Sequence, residues 1–390
     1  MRMQLPLSAG AVYNSRVAKR LCYIHIGPYK TGTSAIQSFL LQNRAELLKH
    51  GYLVPGSGTA RGAHHPLARK LCGHPLPQHR ESIAVKFARQ LANTPAEAVI
   101  ISSEALAALF QHDEYTKTFF TRIAELNLEP KLLIFPRHQP QWINSRYTEA
   151  AQSCSVSESF ENFAYDAAQL ASSKYSPFLE LAHAYNVPLI ARPFTTQTMA
   201  NGAIPVFLEA IGLEPSHFEN TNLRRNQGVG PFTVAAGRSI ACALVRAGKQ
   251  LKWRQASRCK SQLAIYLDKR GLSDRGYSGL TTEVARRVEI RCQADNDRFA
   301  QRAWNTGWNE IFAADVGREF APNDFDLCPP DETTRRLLER TLGELGPVVE
   351  QILSDPTLAI DEPWNDLQQR AGWMRAGPTQ DPPAQPTGTL

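Results

Sequence analysis

Leu21-Cys-Tyr-Ile-His-Ile-Gly-Pro-Tyr-Lys-Thr-Gly-Thr-Ser-Ala-Ile-Gln37 decides the fold. An apolar strand, Leu21 to Ile26, runs through a tight loop into a helix whose Ile36, Phe39, Leu40 and Leu47 share one face. The loop gathers Gly27, Lys30, Thr31, Gly32, Thr33 and Ser34. Glycine lets backbone N–H groups approach an anion, hydroxyls add donors, and lysine adds a point charge. The helix behind presents its positive end. The pattern predicts a phosphate-bearing ligand at the N-terminus of the first helix. In the loop that holds nucleoside triphosphates, lysine follows the last glycine and a hydroxyl residue then holds magnesium. Here Lys30 precedes Gly32, and the loop is short. Such a loop suits one phosphate group, with no obligatory metal.

Around this stretch, short apolar runs alternate with helical patterns, which predicts an α/β fold with a mainly parallel sheet flanked by helices. Further strands are expected at Ala98 to Ser102, Lys131 to Phe135 and Val187 to Ala191, with a weaker one at Tyr52 to Val54. Ligands in such sheets bind beyond the carboxyl ends of the strands. Lys30, Glu104 and Arg137 each follow a strand end, so three signals converge on one edge. From Pro231 onward helices dominate, at Phe232 to Arg246, Thr282 to Ala303 and Thr334 to Leu353. The organisation read from the chain is therefore an N-terminal extension over 1–20, an α/β nucleotide-binding core over 21–230 and a helical C-terminal lobe over 231–370. A disordered tail over 371–390 follows, rich in Pro, Gly, Thr and Gln.

Lys131-Leu-Leu-Ile-Phe-Pro-Arg137 ends a strand in a cation, and His138-Gln-Pro-Gln-Trp-Ile-Asn-Ser145 opens a helix with Pro140 in its first turn. A guanidinium fork matches phosphate oxygens, and the Ser145 hydroxyl adds a directional bond. The loop Pro28-Tyr29-Lys30-Thr31-Gly32-Thr33-Ser34 resembles the 5′-phosphosulfate loop of sulfotransferases that use 3′-phosphoadenosine 5′-phosphosulfate (PAPS). In that family an arginine at a strand end and a serine eight positions later hold the nucleotide's 3′-phosphate. Arg137 and Ser145 match both residues and spacing. Ala191-Arg-Pro-Phe194, Phe207-Leu-Glu-Ala-Ile-Gly-Leu213 and Ala294-Asp-Asn-Asp-Arg-Phe-Ala-Gln-Arg302 resemble late elements of bacterial members. Asn222-Leu-Arg-Arg-Asn-Gln-Gly-Val-Gly230 falls where the family closes a basic loop over the nucleotide. The resemblance makes Arg224 and Arg225 phosphate contacts, with Gly228 and Gly230 allowing close approach. It spans about Leu21 to Trp308 and implies the P-loop-like sulfotransferase fold, with PAPS as cosubstrate. One departure is Ala35, where cytosolic members carry a tryptophan that stacks on adenine; Trp142 is the substitute platform.

Sulfuryl transfer needs a base for the acceptor proton and a cation for the leaving phosphate. Lys30 is the natural leaving-group cation. Glu104 ends Val99-Ile-Ile-Ser-Ser-Glu104 and is the first candidate base, since burial raises a carboxyl pKa. The alternative has Ser103 capping the next helix and Glu104 favouring its first turn. His64 and His65, in Arg61-Gly-Ala-His-His-Pro66, are the rival bases. His25 reads as a packed core histidine, and His138 adjoins Arg137.

The chain has 390 residues and a net charge of +6, too diffuse for nucleic-acid binding and suited to an anionic ligand. Seven cysteines are scattered and never form a C-x-x-C pair, which argues against a disulfide framework or zinc site and for a reducing compartment. The N-terminus lacks the apolar core of a signal peptide, and no stretch reads as membrane-spanning, so a cytoplasmic protein without membrane anchor is expected. The sequence contains no nucleophile elbow with triad order, no H-E-x-x-H and no EF-hand loop. The expected activity is sulfuryl transfer from PAPS to a hydroxyl or amine of a glycan, lipid headgroup or small metabolite. Alternatives are a P-loop nucleotide kinase, disfavoured by the displaced lysine, and a non-catalytic nucleotide-binding protein on the same fold.

Overall fold

The computed structural model describes residues 19–60, 62–77, 82–221 and 228–359. Five strands, β1 (Arg20–His25), β2 (Tyr52–Leu53), β3 (Ala98–Ser102), β4 (Leu128–Ile134) and β5 (Leu189–Ala191), form one sheet in the order β2-β3-β1-β4-β5. Every pairing is parallel. The fold is α/β with helices on both faces, which is why the strands read as nearly continuous apolar runs. β1 lies at the centre, with His25 level with Ser102 of β3 and Leu133 of β4. Its loop therefore emerges between the ends of β3 and β4.

Strand alternation divides the core into two layers. Cys22 and Ile24 face one side with Val99, Ile101, Leu132 and Ile134. Tyr23 faces the other with Ile100, Leu133 and Phe135, against Phe39, Leu40 and Phe207 of the helices. β4 begins earlier than the apolar run suggests, because it continues back through Pro130. That proline pairs with Cys22, while β5 reaches only Leu132 to Ile134. Pro130 thus sits where β4 has a single neighbour and a missing N–H is tolerated.

The helical lobe has its own core of Phe232, Ile240, Leu244, Leu263, Leu267, Leu345 and Val349. It is built from helices Pro231–Arg246, Trp253–Lys269 and Glu332–Ser354. The Trp253–Lys269 helix adds to those read from the sequence, burying Ala256, Cys259, Leu263 and Leu267 on one stripe. The helix Thr282–Trp304, expected in this lobe, instead buries Val288, Cys292 and Phe299 in the core over the sheet. Its polar residues fasten it there. Asn296 and Gln139 exchange hydrogen bonds, and Asp295 accepts the backbone N–H of Tyr175 at 2.7 Å, at the start of helix Ser176–Ala184. The seven cysteines are free thiols. Among the described residues, no helix is long and apolar enough to cross a membrane.

The lobe crosses the core at Gly237, where a Cβ would lie 2.0 Å from Ala151 O of helix Gln139–Gln152. Gly343, in helix Glu332–Ser354, has open space around it. Gly237→Ala is expected to lower stability by about 1–3 kcal/mol through overpacking. Gly343→Ala is expected to raise it by roughly 0.5–1 kcal/mol through helix propensity. Thermal unfolding midpoints check both; equal shifts for the two would contradict the close crossing.

Candidate functional site

The loop after β1 is shaped by two left-handed residues, Lys30 at φ 69° and Gly32 at φ 79°. Lysine in that region costs about 1–2 kcal/mol, strain of the kind that gathers at functional sites. Gly32 is required twice, because a Cβ would also lie 2.4 Å from that of Ala203. Gly27 is equally constrained: a Cβ there would meet the Thr33 methyl at 2.1 Å. The first helix, Thr33–Gln42, starts with no side-chain cap and no acidic residue in its first turn. Its positive end faces the loop, and the nearest carboxylate, Glu104, reaches it from the neighbouring strand connection. Ser34 is exposed at this end. The other two hydroxyls are turned inward. Thr31 is buried and donates to Pro28 O at 2.7 Å, closing the loop, while Thr33 bonds Glu104. Only their backbone N–H groups remain as candidate ligand contacts.

The segment after β4 clamps this loop. Arg137 Nη1 donates to Lys30 O at 2.6 Å, and Trp142 Nε1 donates to Tyr29 O at 2.8 Å. Arg137 is itself fixed by Tyr175, whose hydroxyl accepts its N–H at 2.9 Å and donates to its carbonyl at 2.7 Å. The Phe194 ring lies 5.8 Å from the guanidinium carbon. Burial pulls the guanidinium down to about 10, against the opposing influence of Tyr175 and Asp315. Its Nε is buried with no hydrogen-bond partner. Trp142 is not an adenine platform: it is fully buried, with the Arg146 guanidinium 5.0 Å over its ring. His138 is buried and meets Glu289 at 3.0 Å rather than the loop.

Lys30 Nζ lies 3.4 Å from Glu149 Oε2, and Lys260 Nζ lies 3.3 Å from Glu149 Oε1. Partial burial pushes the Glu149 carboxyl up, but the two lysines outweigh it and hold it at about 2. Ser145 is one helical turn before Glu149, on the same face of helix Gln139–Gln152. Glu149 and Lys260 went unread in the sequence; the only trace was the four-residue step from Ser145.

On the other side of β1, the rival bases prove to be partners. Glu104 Oε2 accepts from Gln37 Nε2 at 2.7 Å and lies 3.4 Å from His65 Nε2. The Ser103 hydroxyl meets His65 Nδ1 at 2.9 Å. Ser103 does not cap the helix Ala105–Leu109 that follows, which has no side-chain cap and starts directly after Glu104. Burial pushes the Glu104 carboxyl up, yet His65, Thr33 and Gln37 together hold it below its ordinary value. Buried Glu104 is thus an ionised anchor, and His65 is the partly exposed member of the pair. His64 is structural. Its Nε2 meets Pro55 O at 3.0 Å, and its Nδ1 accepts the Ser102 N–H at 3.1 Å. His25 is buried as expected, with Nδ1 2.8 Å from the Ser102 hydroxyl.

Arg224 and Arg225 lie outside the described residues. The glycines after them serve the helical lobe. A Cβ on Gly230 would meet Asp274, whose carboxylate accepts the N–H groups of Gly230, Phe232 and Thr233 at the start of helix Pro231–Arg246. The Gly228 carbonyl accepts from Gly276 at 3.4 Å. Lys30, Glu104, His65, Arg137 and Ser145 are thus carried by elements at the carboxyl edge of the sheet or just beyond it. No family model, curated protein or solved structure matches the chain.

Burial lowers His25 and His64 from 6.5 to about 4 each. Both are neutral in the fold and protonate in the unfolded chain below pH 6.5. Stability is therefore full above that pH and falls by about 1.4 kcal/mol per unit per histidine as pH drops toward 4. Histidine NMR is expected to show neither ring titrating above pH 5; a midpoint near 6.5 for either would contradict its burial.

Proposed function

We propose that this protein is a PAPS-dependent sulfotransferase, acting on a hydroxyl or amine of a glycan, lipid headgroup or small metabolite. The observation that carries the reading is the convergence at the ends of three adjacent strands. β1 supplies the strained cationic loop, β4 supplies Arg137 clamped to it, and β3 supplies Glu104, which meets His65 from the helix after β2. Backbone N–H groups of the loop and helix start, with Lys30 and Ser34, receive the 5′-phosphosulfate. Arg137 and Ser145 receive the 3′-phosphate. Seven free cysteines suit a reducing compartment, and we place the enzyme in the cytoplasm.

In the reaction, the acceptor oxygen attacks sulfur, and the bond from sulfur to the 5′-phosphate oxygen breaks. The acceptor proton reaches His65 through the Ser103 hydroxyl, which gives its own proton to Nδ1 and takes the acceptor's in exchange. Glu104 at Nε2 fixes the proton on that nitrogen, leaving Nδ1, which Ser103 meets, as the basic position. The imidazolium formed is stabilised by the same carboxylate. Lys30 neutralises the charge that develops on the departing adenosine 3′,5′-bisphosphate. Glu104 thereby serves as the positioning carboxylate and His65 as the base.

Turnover of labelled PAPS against polyol, amine and phenol acceptors tests the activity. Lys30→Ala is expected to lower transfer about 100-fold while weakening the bisphosphate much less. Ser145→Ala is expected to weaken adenosine 3′,5′-bisphosphate about tenfold and leave adenosine 5′-phosphosulfate within about twofold, as loss of one charge-assisted hydrogen bond requires. Equal losses for the two nucleotides in titration calorimetry would remove the 3′-phosphate assignment.

A further inference from the structure

Glu149 has no part in the chemistry above, yet it holds the loop's only lysine. Its two oxygens are shared between Lys30, from the loop after β1, and Lys260, from the lobe helix Trp253–Lys269. The side chains are 24% (Lys30), 44% (Glu149) and 39% (Lys260) exposed, so solvent screens both pairs and neither adds much to stability. The arrangement is a poor structural pillar. It is a good competitor: two ammonium groups converge on one acidic group, as they would on two oxygens of a phosphate. The helix carrying Glu149 also carries Ser145 one turn earlier and, near its start, Trp142 bonded to the loop. A ligand reaching Lys30 and Ser145 therefore comes within reach of Glu149 and Lys260.

We propose that Glu149 competes with the ligand's acidic group for Lys30 and so sets the affinity of the anion site, and that Lys260 is a second cation for the same ligand, contributed by the helical lobe. The proposal rests on the reading of Lys30 as the ligand's cation. The ligand class it selects bears a doubly charged phosphate or phosphosulfate group. Such a group repays the loss of the internal ion pairs, and a singly charged one does so poorly.

Two measurements on the full chain test it. Acetylation of lysines by an N-hydroxysuccinimide ester, followed by peptide mass spectrometry, reads the ion pairs without any nucleotide. Glu149→Gln is expected to raise the labelling rates of Lys30 and Lys260 at least about threefold relative to Lys86, because the two amines are no longer held against a carboxylate and meet the reagent freely. Titration with adenosine 3′,5′-bisphosphate reads the competition. Glu149→Gln is expected to tighten binding about fivefold, Glu149→Asp to stay near wild type, and Lys260→Met to weaken it about fivefold. The gain from Glu149→Gln should vanish in a Lys30→Ala background. Unchanged labelling, or unchanged or weaker binding by Glu149→Gln, overturns the proposal. Absence of bisphosphate binding by the wild type contradicts the sulfotransferase reading instead, and the labelling then still decides whether Glu149 holds the two lysines.

Discussion

The hydrogen bond from the buried Arg137 guanidinium to the carbonyl of Lys30 ties the site together. A left-handed lysine is an unfavourable conformation, and a buried cation is an unfavourable charge. Each is offset by the other. The carbonyl that the loop turns toward β4 gives the guanidinium an acceptor, and the guanidinium holds the loop in its curl. Tyr175 fixes Arg137 from behind, and Asp295 of the late helix fixes Tyr175. The helix over the sheet is thus linked through the side chains of Asp295, Tyr175 and Arg137 to the first loop of the fold.

This arrangement gives the central strand a particular job. Because β1 lies between β3 and β4, its loop is flanked by a carboxylate–imidazole pair on one side and a guanidinium on the other. Glu149 meets Lys30 from the partly exposed side, and Asp315 acts on Arg137.

Much of this was legible in the sequence, and the rest was not for identifiable reasons. The strand–loop–helix of Leu21 to Gln37 carries both the central strand of the sheet and the strained loop in adjacent residues, so local reading sufficed. Donor direction was not readable. Thr31 and Thr33 look like ligand contacts in a string of hydroxyls, but Thr31 faces Pro28 and Thr33 faces Glu104. Glu104 and His65 read as competitors because they lie on different strand connections; the β2-β3 neighbourhood makes them partners. Lys260 had no signal at all, since an ion pair between distant helices leaves no spacing rule. Gly230 has a glycine's usual meaning, close approach, but what approaches is Asp274.

The claim on which the account stands is that one adenosine carrying two phosphates bridges the β1 loop and the cation after β4. Titration calorimetry of the full chain with adenosine 3′,5′-bisphosphate, in the presence of a chelator, tests it most directly. The account predicts one site per chain, with binding undiminished by the chelator and not displaced by ATP with magnesium. Heat from ATP only when magnesium is added, and none from the bisphosphate, would contradict it.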